Sequence, residues 1–318
     1  MGPLSKVKDT YLRARELVRP HIERAAALHL HPRSKKAIIR ELNFELCSAC
    51  NLRCIWCSLD STLRPAMMKL DLFEHILTEI RDEDLYEIKI LNLHHTGDVL
   101  LHPKWGHFLE VIEREKRDRK TFPYVTMLTS ATHLKGPKAD AILETQAVDW
   151  IRFSVDGGNP EAFERIRERA KWNEVVPNIN AFLDENERSG RNLRTGIIAL
   201  FETPDPTYTE EFLALTKRVT NYMPRMPHNW VGKTELGLEI ESKRPQGLCS
   251  FVLFQVVILV DGTVTLCCAD LNADGVVGDL SERSLHQIYR GPERAAVIQA
   301  MREKRRKDLP FCGTCDQE

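Results

Sequence analysis

The run Cys50-Asn51-Leu52-Arg53-Cys54-Ile55-Trp56-Cys57 places three thiols at x3 and x2 spacing. Thiolates so spaced can curl around one face of a cubane iron–sulfur cluster and leave its fourth iron open to an external ligand. Zinc is the competing reading, because Cys47, three residues upstream, could complete a set of four. Zinc sites more often combine paired Cys-x2-Cys units and close all four positions, so the spacing favours the cluster.

Upstream of this run, Ala37 to Leu46 alternates well enough for a strand that feeds straight into the cysteines. Downstream, a strand-then-helix unit repeats. Strands are expected near 87–94, 123–129, 149–155 and 194–201, and helices near 71–81, 104–118, 137–146, 160–168, 173–188 and 208–221. Asn159 and Pro160 form a start signal for one of these helices, as cap and first helical residue. Alternating βα units demand a parallel sheet, closed or partly closed, with functional groups at the carboxyl ends of its strands. The pattern changes after about residue 225. Met226 to Gly232 reads as a loop. Val256–Val260 and Thr263–Leu266, joined by Asp261-Gly262, read as a hairpin. Short helices near 284–290 and 293–306 then lead to Cys312-Gly313-Thr314-Cys315. Residues 8 to about 30 read as an amphipathic helix kinked at Pro20. The expected division is therefore a helical extension over 1–36, an α/β barrel over 37–235 and a small cysteine-rich domain over 236–318.

The chain has 318 residues, with 45 basic side chains against 46 acidic ones. That balance gives no bulk charge for nucleic acid. No apolar run approaches the roughly 18 residues of a membrane span; the longest, Phe251 to Val260, is interrupted by Gln255. No apolar leader segment follows Met1, so a cytoplasmic protein is expected. Nine cysteines is an odd number for a disulfide framework, and they fall in groups, which points to metal ligation. Cys249-x17-Cys267-x44-Cys312-x2-Cys315 offers four thiolates from a hairpin and a chain end, enough to enclose a cubane or a structural zinc.

Residues 50–57 resemble the hallmark loop of the radical S-adenosylmethionine superfamily, which commonly reads Cys-Asn-Leu-Arg-Cys with an aromatic, here Trp56, before the last cysteine. Thr96-Gly97-Asp98-Val99-Leu100 resembles the family's Gly-Gly-Glu-Pro-Leu segment, with Thr for the first Gly and Asp for Glu. Arg152 to Gly157 and Thr129-Ser130 resemble its fourth and third strand ends. The resemblance implies a partial (β/α)6 TIM-like barrel, and a [4Fe-4S] cluster on Cys50, Cys54 and Cys57. It implies S-adenosylmethionine held by Trp56, Thr96, Gly97, Asp98, Ser130, Ser154 and Asp156. An electron from the cluster then breaks the cofactor's C–S bond, and the resulting 5′-deoxyadenosyl radical abstracts hydrogen from a substrate carbon.

The C-terminal segment, including Gly262 to Cys267 as a Gly-x4-Cys element, resembles the twitch form of the SPASM auxiliary-cluster domain. This implies a second [4Fe-4S] cluster on Cys249, Cys267, Cys312 and Cys315. Spacing and domain order are similar to dehydrogenases that oxidise the aminocyclitol 2-deoxy-scyllo-inosamine, and Cys268 is similar to the thiol of the radical epimerase that finishes neomycin. The implied partners are a sugar or aminocyclitol substrate and an electron donor such as flavodoxin or ferredoxin, with no nucleic acid and no membrane.

If Cys267 faces the cluster from a strand, Cys268 faces the other way. A thiol there can donate hydrogen to a carbon radical; the alternative is a buried small hydrophobe. Asp270 is expected on the same side as Cys268. His95, Lys233 and Asp270 are the candidate substrate contacts. Trp230 and the neighbouring His94 and His102 come next, and a base for a dehydrogenase is sought among the histidines. Arg302 to Lys307 reads as a solvated helix face. Four functions remain open: epimerase, dehydrogenase with the auxiliary cluster as electron acceptor, ribosomal-peptide maturase, and zinc-stabilised binding protein.

Overall fold

The computed structural model describes residues 36–64, 66–82, 84–236 and 247–316; the helix expected over 8–30 lies outside them. The strands are β1 (Ala37–Phe44), β2 (Arg53–Cys54), β3 (Tyr86–Asn92), β4 (Tyr124–Thr129), β5 (Trp150–Ser154), β6 (Arg167–Glu168), β7 (Arg194–Leu200), β8 (Asn221–Arg225), β9 (Gln255–Ile258), β10 (Thr263–Thr265) and β11 (Val276–Asp279). Nine of them form one sheet in the order β11-β10-β9-β1-β3-β4-β5-β7-β8, and β2 pairs with β6 apart from it. The run from β1 to β8 is parallel throughout. The sheet ends at β11 and β8 without closing, so the barrel is partial, as the family resemblance implies.

Helices Leu70–Glu79, Trp105–Asp118, Pro137–Glu144, Pro160–Ile166, Trp172–Arg188 and Glu210–Arg218 make the crossovers. They pack on the sheet through apolar faces. Phe44 of β1 meets Phe73 edge-on with centroids 4.9 Å apart, and Phe73 meets Phe108 at 5.1 Å, a geometry that adds to the simple burial of area. The Asn159 side chain accepts the Ala162 N–H at 2.9 Å, with Pro160 next in line, and fixes one helix start. Among the described residues no helix is long and apolar enough to cross a membrane.

Two features depart from expectation. The last crossover helix stops at Arg218 rather than 221, and Asn221–Arg225 forms β8 on β7. Pro224 argues against a strand in sequence, but β8 is an edge, where a residue without an N–H is tolerated. The C-terminal hairpin is also no separate sheet. β9 runs parallel to β1, pairing Glu41 with Gln255 and Phe44 with Ile258, and only then turns through Gly262 (φ +94°) into antiparallel β10. The cysteine-rich segment thus grows from the strand that delivers Cys50. Ser250–Phe254, just ahead of β9, is a short helix.

On the opposite side of the sheet from Phe44, β1 presents Glu41 and Asn43 to a polar belt across neighbouring strands. Gln255 donates to Glu41 at 2.9 Å, Asn92 to Asn43 at 2.8 Å and Arg152 to Thr126 at 3.0 Å. The belt satisfies polar groups that an apolar barrel interior would leave unpaired.

Candidate active site and cluster-binding loops

The loop after β1 carries the first three thiols. Cys50 and Cys54 are half-buried and Cys57 is exposed. Cys57 N–H donates to the Cys54 carbonyl at 3.1 Å, which closes the turn between them. Cys54 feels both Cys50 and Cys57, Cys50 feels Cys57, and the Arg167 guanidinium favours the thiolate at all three. Burial outweighs it and pushes Cys54 up to about 11. Arg167 reaches this place because β6 pairs with β2, setting Arg167 opposite Cys54, and because Asp156 holds its Nε at 2.7 Å.

Two contacts hold the loop against the barrel mouth. Asp98 N–H donates to the Ala49 carbonyl at 2.9 Å. Gly97, at φ +57°, lies so close that a Cβ would overlap the Ala49 and Cys47 carbonyl oxygens. Only glycine meets both demands. Asn51 adds a hydrogen bond to Thr132 at 3.2 Å.

The polar residues expected to touch S-adenosylmethionine stand around this loop, but most have protein partners. Asp98 accepts from Leu100 N–H at 3.0 Å, Thr129 Oγ1 at 3.0 Å, Ser130 N–H at 3.0 Å and the Ser130 hydroxyl. Asp98 thus ties the end of β3 to the end of β4, and the Ser130 hydroxyl donates to it. Asp156 is likewise taken up by Arg167 and by Leu200 N–H at 2.7 Å. Thr96 donates to Glu45. Trp56 and Ser154 are buried beside them, at 5 % and 6 % exposure.

Glu45 is one of the residues that sequence reading misses. Buried directly after β1, it receives Arg64 through both oxygens, with Arg64 Nε to Oε2 at 2.7 Å, and it also accepts the Val260 N–H at 3.2 Å. Arg64 in turn donates to the Leu271 carbonyl at 2.8 Å. One buried ion pair therefore joins β1, the segment after the first cysteines, the end of β3 and the C-terminal hairpin. No local pattern marks either residue, since their meeting depends on the tertiary fold.

The second set of thiols is more deeply placed. Cys249, Cys267, Cys312 and Cys315 are each no more than 5 % exposed. Cys312 feels Cys249, Cys267 and Cys315, and burial pushes its thiol up to about 12. The Val252 and Phe251 N–H groups point to the Cys249 sulfur, and Ala269 N–H donates to Cys267 Sγ at 3.3 Å. Such donors stabilise thiolate ligands. Among the described residues no three His, Cys, Asp or Glu side chains converge on a point that would hold one metal ion. In a cubane each thiolate binds a different iron, so convergence on one point is not required. Both sets of thiols fit a cluster.

Cys268 departs from its expected orientation. β10 ends at Thr265, and Cys267 to Asp270 form a turn closed by Asp270 N–H to the Cys267 carbonyl at 3.1 Å. Strand alternation does not reach this far, and the Cys268 thiol comes within hydrogen-bond reach of Cys267. Asp270 is not turned to a substrate either: it is fully buried and accepts the Asp274 and Gly275 N–H groups at 2.9 and 2.8 Å, shaping the next loop. Lys233 pairs with Asp274 at 3.0 Å on the surface. His95 Nε2 sits 2.8 Å from the Asp270 carbonyl oxygen. His94 Nε2 takes a hydrogen bond from Arg152 at 3.3 Å, and burial followed by that charge holds its pKa well below the ordinary value. His102 is spent between Met68 O and Lys104 N–H, both at 3.0 Å, and Cys47 is a buried thiol 3.5 Å from the Ala49 carbonyl.

The family model of the radical SAM superfamily matches residues 44–217, and that of the SPASM iron–sulfur cluster-binding domain matches 249–316. The chain belongs to the radical SAM superfamily. It carries a [4Fe-4S] cluster with S-adenosylmethionine in the barrel and further iron–sulfur binding in the SPASM domain. Among solved structures this radical SAM chain is similar to BtrN in complex with AdoMet and 2-DOIA, at 15 % identity and TM-score 0.60 over 88 % of this chain and 94 % of that one. Streptococcus suis SuiB bound to precursor peptide SuiA is similar at 12 % identity and TM-score 0.65, over 86 % and 70 %. Native anSMEcpe with bound AdoMet is similar at 12 % identity and TM-score 0.59, over 86 % and 88 %. These likenesses establish the fold. No curated protein matches the sequence significantly.

Proposed function

We propose that this radical SAM enzyme abstracts hydrogen from a carbon of a sugar, aminocyclitol or aminoglycoside, and that Cys268 returns a hydrogen atom to the opposite side, epimerising the carbon. When bound, the first cluster and S-adenosylmethionine supply the 5′-deoxyadenosyl radical. The chain supplies the ligands Cys50, Cys54 and Cys57, the loop anchors Gly97 and Asn51, and a barrel that keeps water away. One observation carries the reading: Cys249, Cys267, Cys312 and Cys315 are buried as a set, whereas Cys268 beside them is only partly buried. The thiol left over from ligation belongs to a residue that is not closed off from solvent. The Cys268 thiyl radical left behind takes up one electron and one proton to restore the thiol. An external donor such as flavodoxin or ferredoxin supplies that electron as well as the one that cleaves S-adenosylmethionine.

A dehydrogenase is the second reading, favoured by the nearly end-to-end likeness to a structure holding 2-DOIA. There the set of Cys249, Cys267, Cys312 and Cys315 provides the electron acceptor. His94 or His95, kept neutral by burial, is the base.

Reaction of the reconstituted enzyme with a panel of aminocyclitols and aminoglycosides in deuterated water separates these. Epimerisation predicts one solvent deuterium at the inverted carbon, and Cys268→Ala still makes 5′-deoxyadenosine but no epimer. A ketone product lacking two hydrogens overturns the epimerase in favour of the dehydrogenase, and turnover of a peptide alone overturns both.

A further inference from the structure

Within the run Arg302-Glu303-Lys304-Arg305-Arg306-Lys307 five residues are exposed, as a solvated face requires, and Arg306 is not. The helix ends at Arg302, and Arg306 is 2 % exposed. Arg306 opens a single 3-10 turn, Arg306–Asp308, that leads into the Cys312–Cys315 loop. Gly313 fixes the two together. Its N–H donates to the Leu309 carbonyl at 2.8 Å, and a Cβ on it would stand 2.6 Å from the Lys307 carbonyl oxygen and 2.8 Å from that of Leu309. This close approach presses the turn that opens with Arg306 onto the ligand loop. Its charge acts on both Cys249 and Cys312, which come from opposite ends of the domain sequence. Asp270, of opposite charge, acts on Cys267 and is held by two backbone N–H groups.

We propose that Arg306 sets the reduction potential of the auxiliary cluster by raising it. The inference rests on Cys249, Cys267, Cys312 and Cys315 being the cluster's ligands. One-electron reduction adds a negative charge to a centre already carrying four thiolates, and a fixed cation in a site of low dielectric favours the more negative state. A lysine keeps the charge; glutamine keeps much of the volume and hydrogen bonding without it.

The test is an anaerobic redox titration followed by electron paramagnetic resonance. It uses full-length protein in which Cys50, Cys54 and Cys57 are replaced by Ala, so that only the auxiliary cluster gives a signal. Arg306→Gln is expected to shift the reduction equilibrium at least tenfold toward the oxidised form, about 59 mV for one electron. Arg306→Lys is expected to stay within a few-fold of the parent. Equal potentials in parent and Arg306→Gln overturn the proposal. If Arg306→Gln assembles no cluster, Arg306→Lys decides: a parent-like potential supports the role of charge, whereas a fall like that expected of glutamine, or no cluster, overturns it. Absence of any cluster from the parent would instead defeat the ligand assignment on which the proposal rests.

Discussion

Replacing Glu45 by Gln tests the buried ion pair that joins the two halves of the site. The pair's side chains are 4 % and 0 % exposed, for Arg64 and Glu45, and the carboxylate also receives Thr96 and the Val260 N–H. The substitution leaves the Arg64 guanidinium buried with its charge uncompensated, a change that costs about 3–5 kcal/mol. With an unfolding entropy of roughly 2.1 cal/mol/K per residue, or about 0.7 kcal/mol/K for this chain, a loss of about 4 kcal/mol lowers Tm by about 6 °C. Calorimetry of the reconstituted protein under anaerobic conditions measures it. The double variant Glu45→Gln with Arg64→Met removes both charges and is expected to melt above Glu45→Gln alone, since the penalty comes from the orphaned cation. A Glu45→Gln protein melting within about 2 °C of wild type, or a double variant at or below the single one, would refute this reasoning.

Gly97→Ala pushes a methyl group into the Ala49 and Cys47 carbonyls at a positive φ. Because this displaces the loop that carries Cys50, the variant is expected to lose most of the first cluster's iron and at least tenfold in 5′-deoxyadenosine formation while keeping the second cluster; iron analysis and product assay check it. The cluster-free protein should lose stability in alkali. Burial raises Cys54 from 9.0 to about 11, and Cys47 and Cys312 to about 12. Between 9.0 and those values the folded chain holds protons that the unfolded chain has released. These thiols' contribution is therefore complete below pH 9 and is lost as pH rises toward 11–12. Urea midpoints across that range should fall steadily; a flat profile contradicts the prediction.

The parallel repeat is legible in sequence because each βα unit writes its own period, and both cysteine sets are legible because ligand spacing is a local property. Even the hairpin at Asp261-Gly262 announces itself through its turn. What stays hidden depends on contacts between distant segments. The pairing of β9 with β1 carries no sequence mark. Arg306 sits in a charge run that reads as solvent-facing, and only the close approach at Gly313 buries it. Asp98, Ser130 and Asp156 occupy positions where the family resemblance places cofactor contacts, and their hydrogen bonds to neighbouring segments are a tertiary feature no local pattern marks. Cys268 misleads for a simpler reason: β10 stops two residues before Cys267, so the alternation argument has no strand to act on.

Iron and acid-labile sulfide per chain, measured on anaerobically reconstituted protein and on two sets of alanine variants, test most directly that the cysteines hold two clusters. Wild type is predicted to bind about eight irons and eight sulfides. Replacing Cys50, Cys54 and Cys57, or separately Cys249, Cys267, Cys312 and Cys315, is predicted to leave about four of each. A wild-type protein with only four irons, or zinc in the C-terminal set, would contradict the account.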